Sequence, residues 1–333
     1  MDRTGASCYI YAKASGMLAK SYTGQNAKKL FNAKSLQELW SLLFDDEMPS
    51  VPQTVLAQVI EKKSYEKFVE EYNTLLTAYS KPDDVLVELL HWFDFENLKN
   101  AGALLSTGHS EKLDYTSIKP FNLLKYEQWP DLEKMTAGTE LAWYNRPPQV
   151  FEQQEFSNRL DIQFIKKIWK VSEKLPAAEK KAVQKIIAER YSMKNILWAM
   201  RLKVYYNMSS DEIKNRLVFL EDRKSRSDLF AKEALKILDF NVDSYDDWSK
   251  WHYAFLLNSS DDLRFWKLDP QFVEQKVSDL FYVQMKRNFH REPFTAMVMV
   301  AWFFIKMHEL DNIRMVTEAI RLNVDIEERG IDG

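Results

Sequence analysis

The residues of this sequence that could carry chemistry are adjacent carboxylates, five histidines and one cysteine. Carboxylate oxygens are the ligands that magnesium and calcium prefer. Adjacent acids occur at Asp45-Asp46, Asp83-Asp84, Asp246-Asp247 and Asp261-Asp262. The histidines include no HExxH pair, and Cys8 alone cannot supply the two or more thiolates of a zinc site. We therefore predict that the histidines lie on helix surfaces or in cores.

One acidic pair supports an enzymatic alternative. All-helical isoprenoid synthases hold magnesium with a DDxxD/E cluster on facing helices. Asp261-Asp262 is followed by Leu-Arg-Phe and therefore lacks the third acid. Asp83-Asp84 fits better as the first turn of a helix, where carboxylates suit the helix dipole. A magnesium-dependent helical enzyme using Asp261 and Asp262 stays an alternative hypothesis, while the leading prediction is a chain with no catalytic residue, no cofactor and no metal.

Glycine usage argues against a nucleotide site. The chain of 333 residues has eight glycines, and none occurs between Gly138 and Gly330. Phosphate-binding loops need glycine for positive φ angles and for close approach of the backbone to the ligand. Neither GxGxxG nor GxxxxGK[ST] is present. A dinucleotide-binding domain and a P-loop are therefore not expected.

Charge, cysteine content and hydropathy restrict the cellular compartments and the classes of partner that are expected for this chain. Lys and Arg total 46 against 49 Asp and Glu, so a generally nucleic-acid-binding surface is not expected, although a local basic patch remains possible. A single cysteine fits a reducing compartment, and the N-terminal residues show no signal-peptide pattern. The longest apolar stretch, residues 294–305, is too short to cross a bilayer. We expect it to form a buried core helix.

The residue pattern predicts an almost entirely α-helical chain. Glycine and proline are scarce, and strand-like alternation is rare. Leu36, Leu39, Trp40 and Leu43 share one face of a predicted helix. Three prolines, at positions 82, 176 and 293, are read as first residues of helices, because proline costs little there.

Three asparagines in similar surroundings indicate an internal repeat. Asn97, Asn195 and Asn312 follow the three prolines by 15, 19 and 19 residues. The difference of four residues is close to one helical turn, so the three asparagines lie on nearly the same side of their helices relative to the prolines. The sequence around residues 160–165 also matches that around residues 268–273 closely. We therefore predict three related helical domains, at residues 1–112, 113–212 and 213–333.

Several segments resemble the C/d subunit family of rotary V-type ATPases. The N-terminal Tyr-Ile-Tyr-Ala-Lys at residues 9–13, with the Gly-Met-Leu that follows, is similar to the opening of family members. The helix at residues 33–39 is similar to a leucine-rich family helix. Acid, asparagine, apolar and basic residues at 94–99 and 309–314 resemble the family signature. The middle copy departs from it, with Ser192 for the acid and Leu197 for the base.

The resemblance implies a fold, a role and a location. The implied fold is all-α, with three similar helical domains around a pseudo-threefold axis that form a funnel with a central cavity. The implied role is that of a non-catalytic rotor subunit in the central stalk. It would be a socket that couples the central shaft to the membrane proteolipid ring and transmits torque for proton or other ion transport. The subunit would be present once per complex, peripheral on the cytoplasmic face of the membrane, with no nucleic acid or small-molecule substrate. A generic helical scaffold remains a further alternative.

Two interpretations of the signature residues stay open. In the first, the acid and the base pair along one helix face, and the asparagine bonds across a domain contact. In the second, these residues line the central cavity and contact the shaft. The candidates are Asp94, Asn97, Lys99, Asn195, Glu309, Asn312 and Arg314.

Overall fold

The computed structural model describes residues 1–221, 225–259 and 265–324 of the chain. Within these ranges every regular element is a helix and no strand is formed, so the predicted all-α class is confirmed. The α-helices are α1 (Arg3–Lys20), α2 (Ala27–Phe31), α3 (Leu36–Leu43), α4 (Gln53–Leu76), α5 (Asp84–Ser106), α6 (Leu132–Thr136), α7 (Gln153–Ser172), α8 (Ala177–Tyr206), α9 (Ser210–Arg216), α10 (Lys232–Lys236), α11 (Tyr245–Ser249), α12 (Pro270–Arg291) and α13 (Met297–Leu322). Short 3-10 turns occupy Gly24–Asn26, Tyr126–Gln128, Ile237–Asp239 and Ala254–Leu256.

Long helices come in consecutive pairs, and each pair except the last is followed by a stretch of short helices and irregular chain. The pairs are α4 with α5, α7 with α8, and α12 with α13. Asn97, Asn195 and Asn312 each lie on the second helix of a pair, as the repeat predicts. No helix among the described residues is both long and apolar enough to cross a membrane.

The chain folds as two compact units. Among the described residues, the first unit contains 1–164 and 285–324, and the second contains 165–221, 225–259 and 265–284. The division into three repeats at residues 112 and 212 stays a prediction, because the bounds of two compact units do not tell whether three segments of the chain share one fold.

Helix α13 forms the centre of the first unit. It packs against α1, α2, α3, α4 and α5. Trp302 of this helix is fully buried, with ring-centroid distances of 5.5 Å to Phe68 and 5.8 Å to Tyr72. Residues 297–305 of the apolar run thus form the buried N-terminal part of this core helix, as expected from the length and composition of the run. Burial of such aromatic side chains supplies much of the hydrophobic stabilisation of a fold.

Helix α3 shows how its sequence produces its packing. The Ser35 hydroxyl accepts from the backbone N–H of Glu38 at 3.2 Å and so caps the start of the helix. One turn-spaced face of the helix is buried against α4 and α13. This face consists of Leu36, Leu39, Trp40 and Leu43, the four residues that the periodicity predicts.

The second unit is organised around α8. Ile196 and Met200 of this helix are buried in a cluster that includes Trp248 and Trp266. Both indole N–H groups donate to backbone carbonyls, of Asn241 and Asn258 respectively, at 2.9 Å. Irregular chain between the short helices is therefore held by buried tryptophans.

The predicted prolines precede helices but do not occupy their first positions. Pro176 is the N-cap residue of α8. Pro82 lies two residues before Asp84, and Pro293 lies four residues before Met297. In α5 the N-cap is Asp83, and in α13 the chain makes an extra turn after the proline before the helix begins.

Candidate functional site

Asn97 holds a stretch of irregular backbone against α5. Its Nδ2 donates to the carbonyl oxygen of Thr116 at 2.8 Å, and its Oδ1 accepts from the Thr116 N–H at 3.1 Å. Nδ2 also donates to the Tyr126 hydroxyl at 2.6 Å. One donor and one acceptor directed at the same residue reproduce the pairing of two antiparallel strands. We call this reciprocal contact the asparagine clamp.

Asn195 makes the same contact in the second unit. Its Nδ2 donates to the carbonyl oxygen of Val218 at 2.7 Å, and its Oδ1 accepts from the Val218 N–H at 2.9 Å. Nδ2 also donates to the Phe230 carbonyl at 3.0 Å. Two of the three repeat asparagines therefore have the same geometry at sequence separations of 19 and 23 residues.

Asn312 occupies the corresponding place on α13 and is buried, with 7% of its surface exposed. Within the described part of the chain no hydrogen bond joins its amide to a backbone segment. Among the described residues, Asn97 and Asn195 thus form the clamp and Asn312 does not.

The acids of the signature also bind backbone. The Asp94 carboxylate accepts from the Leu123 N–H at 2.6 Å and from the Tyr126 hydroxyl at 2.5 Å. Glu309 accepts from the Tyr22 N–H at 2.5 Å. Each acid therefore lies one turn before its asparagine and fastens a different non-helical segment to the long helix.

The interpretation in which acid and base pair along one helix face stays open. Lys99 pairs with Glu96, three residues earlier on α5, at 2.7 Å and with Asp161 at 2.6 Å, whereas the Asp94 carboxylate binds backbone. Arg314 is exposed. Residues five apart are rotated by about 140° around an α-helix, so they face different sides. The carboxylates point into the protein where the backbone donors are.

Burial changes the protonation of Asp94. Removal from water raises the pKa of this carboxyl to about 6, although the hydrogen bonds from Tyr126 and Leu123 and the nearby His91 act in the opposite direction. Burial and the adjacent carboxylate also raise the pKa of Tyr126 far above its ordinary value, so the phenol remains the donor. His91, one turn earlier on α5, contacts the Phe121 carbonyl through Nε2 and Glu88 through Nδ1, each at 3.1 Å.

A cleft of about 600 Å³ in the first unit brings Asn97 and Arg314 together. Its walls come from α4, α5, α13 and residues 114–116. It is lined by Gln58, Glu61, Lys62, Tyr65, Trp92, Phe93, Glu96, Asn97, Asn100, Asp114, Tyr115, Thr116 and Arg314. Burial raises the pKa of Glu61, and the positive charge of Arg314 offsets this only in part. The remaining candidate residues, Asp94, Lys99, Asn195, Glu309 and Asn312, do not line this cleft.

Comparison with known proteins gives the family. A family model described as ATP synthase (C/AC39) subunit matches residues 10–329. The chain belongs to this family. It is also 25% identical over 320 residues to an uncharacterized protein of Treponema pallidum (strain Nichols), a match that covers 96% of this chain and 94% of that protein. The resemblance found in the sequence motifs is therefore confirmed.

The structure of this C/AC39-family chain also contains a charged cluster that sequence reasoning missed. Lys306 is buried in the apolar part of α13 and pairs with Glu309 and, at 3.1 Å, with Glu71. Burial acts to lower the pKa of Lys306, but the two carboxylates outweigh it and leave the pKa raised. The sequence did contain a signal for this cluster. Lys306 interrupts an apolar helical run, and a lysine buried in such a run needs an acidic partner, which Glu309 supplies three residues later.

Among the described residues of this C/AC39-family chain, no group of three or more His, Cys, Asp or Glu side chains is arranged to hold a metal. Asp261 and Asp262, on which the enzymatic alternative depends, lie outside the described residues. The clamp partners Thr116, Val218 and Tyr126 were also missed, because they lie in irregular chain without a periodic pattern.

Proposed function

We propose that this C/AC39 chain is the non-catalytic central-stalk subunit of a V-type ATPase. In this role it is a socket between the central shaft and the membrane proteolipid ring, and it transmits torque for ion transport. The proposal rests on family membership across residues 10–329. A subunit of this kind is peripheral on the cytoplasmic face and occurs once in the complex.

The asparagine clamps support a torque-transmitting role. A coupling element must resist shear, and irregular segments are the least stiff parts of a helical protein. Here Asn97, Asn195 and Asp94 fix such segments to long helices by backbone hydrogen bonds. Close-packed aromatic cores add rigidity, because interiors packed to crystal density transmit strain.

The cleft containing Arg314 is the best candidate for a shaft contact. Its lining combines aromatic side chains with Arg314, and these residue types are enriched at protein–protein interfaces. Arg314 is exposed, whereas Asp94 and Asn97 are buried and already bound to the chain's own backbone. We therefore propose Arg314 as a residue that binds the shaft, and Asp94 and Asn97 as residues that position the cleft wall.

Affinity purification from the native host tests both statements. A tagged chain is expected to bring down the shaft and proteolipid subunits in gentle detergent. Arg314→Ala should lower recovery of the shaft several-fold without lowering recovery of the proteolipids, because one exposed interface charge is removed. Arg216→Ala, an exposed arginine on α9, is the matched control and should behave as wild type.

The possible outcomes test the central-stalk role and the assignment of Arg314 separately. A tagged chain that purifies as a monomer with no ATPase subunit contradicts the central-stalk role. Normal recovery of the shaft with Arg314→Ala contradicts only the assignment of the cleft. Circular dichroism of both variants checks that the helical fold is kept.

A further inference from the structure

The N-terminal part of the chain has an unusual charge distribution. Residues 3–37 contain six Lys or Arg and no Asp or Glu, although the whole chain has a net charge of −3. Such an asymmetry between segments indicates attraction to an anionic partner. None of the contacts in the candidate site uses these basic groups.

Five of the six cations are exposed and lack an ion pair. These are Lys13, Lys20, Lys28, Lys29 and Lys34, which we call the N-terminal basic surface. Among the described residues none of the five lies within salt-bridge distance of a carboxylate. Arg3, by contrast, binds Asp83 at 3.1 Å. The five charges are therefore not neutralised by the protein itself.

Helix α1 presents its part of this surface as a flat stripe. Its opposite face, with Ala6, Ile10 and Ala14, is buried in the first unit. The exposed face has Lys13 and Lys20 seven residues apart, which places both on the same side. The exposed residues between them are Gly16 and Ala19, which are small.

Aromatic side chains accompany the lysines. Tyr9, one turn before Lys13, is 43% exposed. Phe294 is 58% exposed and lies against Tyr11 of α1, with ring centroids 6.0 Å apart. Exposed arginines at positions 287 and 291 extend the positive charge at the end of α12, where His290 contacts the Tyr11 hydroxyl at 3.1 Å.

We propose that the N-terminal basic surface binds an anionic lipid bilayer. Lysine is a flexible point charge that suits diffuse attraction to headgroups, whereas arginine suits bidentate recognition of single carboxylates. Exposed aromatic rings beside basic residues are typical of side chains that lie at a membrane interface. The five lysines are spread over α1, α2 and the segment before α3, so they fit an extended anionic plane better than a small ligand. The inference does not depend on the central-stalk role.

Vesicle co-sedimentation with the full chain is the test. Wild type is expected to pellet with phosphatidylcholine vesicles that contain about a third phosphatidylserine, and not with pure phosphatidylcholine. Each lysine near such a surface strengthens binding by about fivefold. The quadruple variant Lys13→Gln, Lys20→Gln, Lys28→Gln and Lys29→Gln should therefore lose binding by more than tenfold.

The matched control removes the same charge elsewhere. Lys112→Gln, Lys125→Gln, Lys181→Gln and Lys232→Gln change four other exposed lysines and should leave binding within about twofold of wild type. Equal binding of the two quadruple variants overturns the proposal, and so does equal pelleting with neutral vesicles. Tighter binding to single-stranded RNA than to the anionic vesicles at the same salt concentration also overturns it, in favour of a nucleic acid. An unchanged thermal unfolding curve shows that a loss of binding does not come from misfolding.

Discussion

A single amide side chain fixes a backbone segment when its donor and acceptor both meet the same residue. Asn97 and Asn195 do this for Thr116 and Val218, and each also donates to a second oxygen. Aspartate has nearly the same shape but only acceptors, and leucine has neither group. This explains why asparagine occurs at both positions. The sequence pattern alone showed that the asparagines recur, but not which groups they bind.

Replacing Asn195 by aspartate is expected to destabilise the protein by about 2–3 kcal/mol, because a carboxylate would face the carbonyl oxygens of Val218 and Phe230. Urea unfolding followed by circular dichroism measures this difference. Asn158→Asp is the control, since Asn158 accepts from Gln154 and aspartate can still do so. Equal unfolding free energies for the two variants would show that the clamp contributes little.

The raised pKa of Asp94 makes a prediction about pH. A carboxyl whose pKa is about 6 in the folded protein and near 3.8 when unfolded binds its proton more tightly in the folded state. Its contribution to stability is therefore present at low pH and is lost as the pH rises through 6. The unfolding free energy of wild type relative to Asp94→Asn should fall by about 1 kcal/mol between pH 5 and pH 7. A difference between the two proteins that does not change with pH would contradict the raised pKa.

At the scale of elements, long helices are held to irregular segments by close contact as well as by polar side chains. Gly102 lies within α5 at the point where Tyr144 and Pro148 pack against this helix. A Cβ at this position would lie 1.9 Å from the Tyr144 hydroxyl oxygen and 3.1 Å from Pro148. The glycine is therefore required by packing, although it costs helix stability.

Gly102→Ala is expected to destabilise the protein by about 1–3 kcal/mol, because overpacking outweighs the better helix propensity of alanine. Gly16→Ala is the matched change on α1, where a Cβ would meet nothing within 4 Å. It should raise stability by about 0.5–1 kcal/mol. Thermal unfolding of both variants measures the opposite signs, and a stabilised Gly102→Ala protein would refute the packing argument.

The elements show what a sequence can and cannot specify. Periodicity predicts α3 with its four buried residues, and composition predicts a core helix at residues 294–305, of which 297–305 are helical and buried. Both patterns lie within a single helix, so no knowledge of distant partners is needed. The partners of Asp94 and Asn97 could not be predicted, since they lie 19 to 32 residues away in chain without regular structure. The partners of Lys99 are a similar case, because sequence spacing does not tell which side of a helix faces the protein.

For the whole molecule, the presence of two compact units predicts that a destabilising substitution affects mainly the unit that contains it. Lys306→Met leaves Glu71 and Glu309 without their buried cation and should cost about 3–5 kcal/mol in the first unit. Hydrogen exchange is expected to accelerate in residues 1–164 and 285–324 for this variant, and in residues 165–221, 225–259 and 265–284 for Asn195→Asp. Faster exchange throughout the chain with either variant would show that the units unfold together.

Helix α13 lies at the centre of the first unit, but it is translated after the helices that pack against it. On the ribosome, α1 to α5 emerge without the helix on which they pack, and the second unit of about 120 residues must be translated before it arrives. At typical elongation rates this delay is about 6 to 24 seconds. Apolar faces such as that of α3 remain uncovered during this time, which makes the newly made N-terminal half a substrate for chaperones, whereas residues 165–284 can fold while synthesis continues.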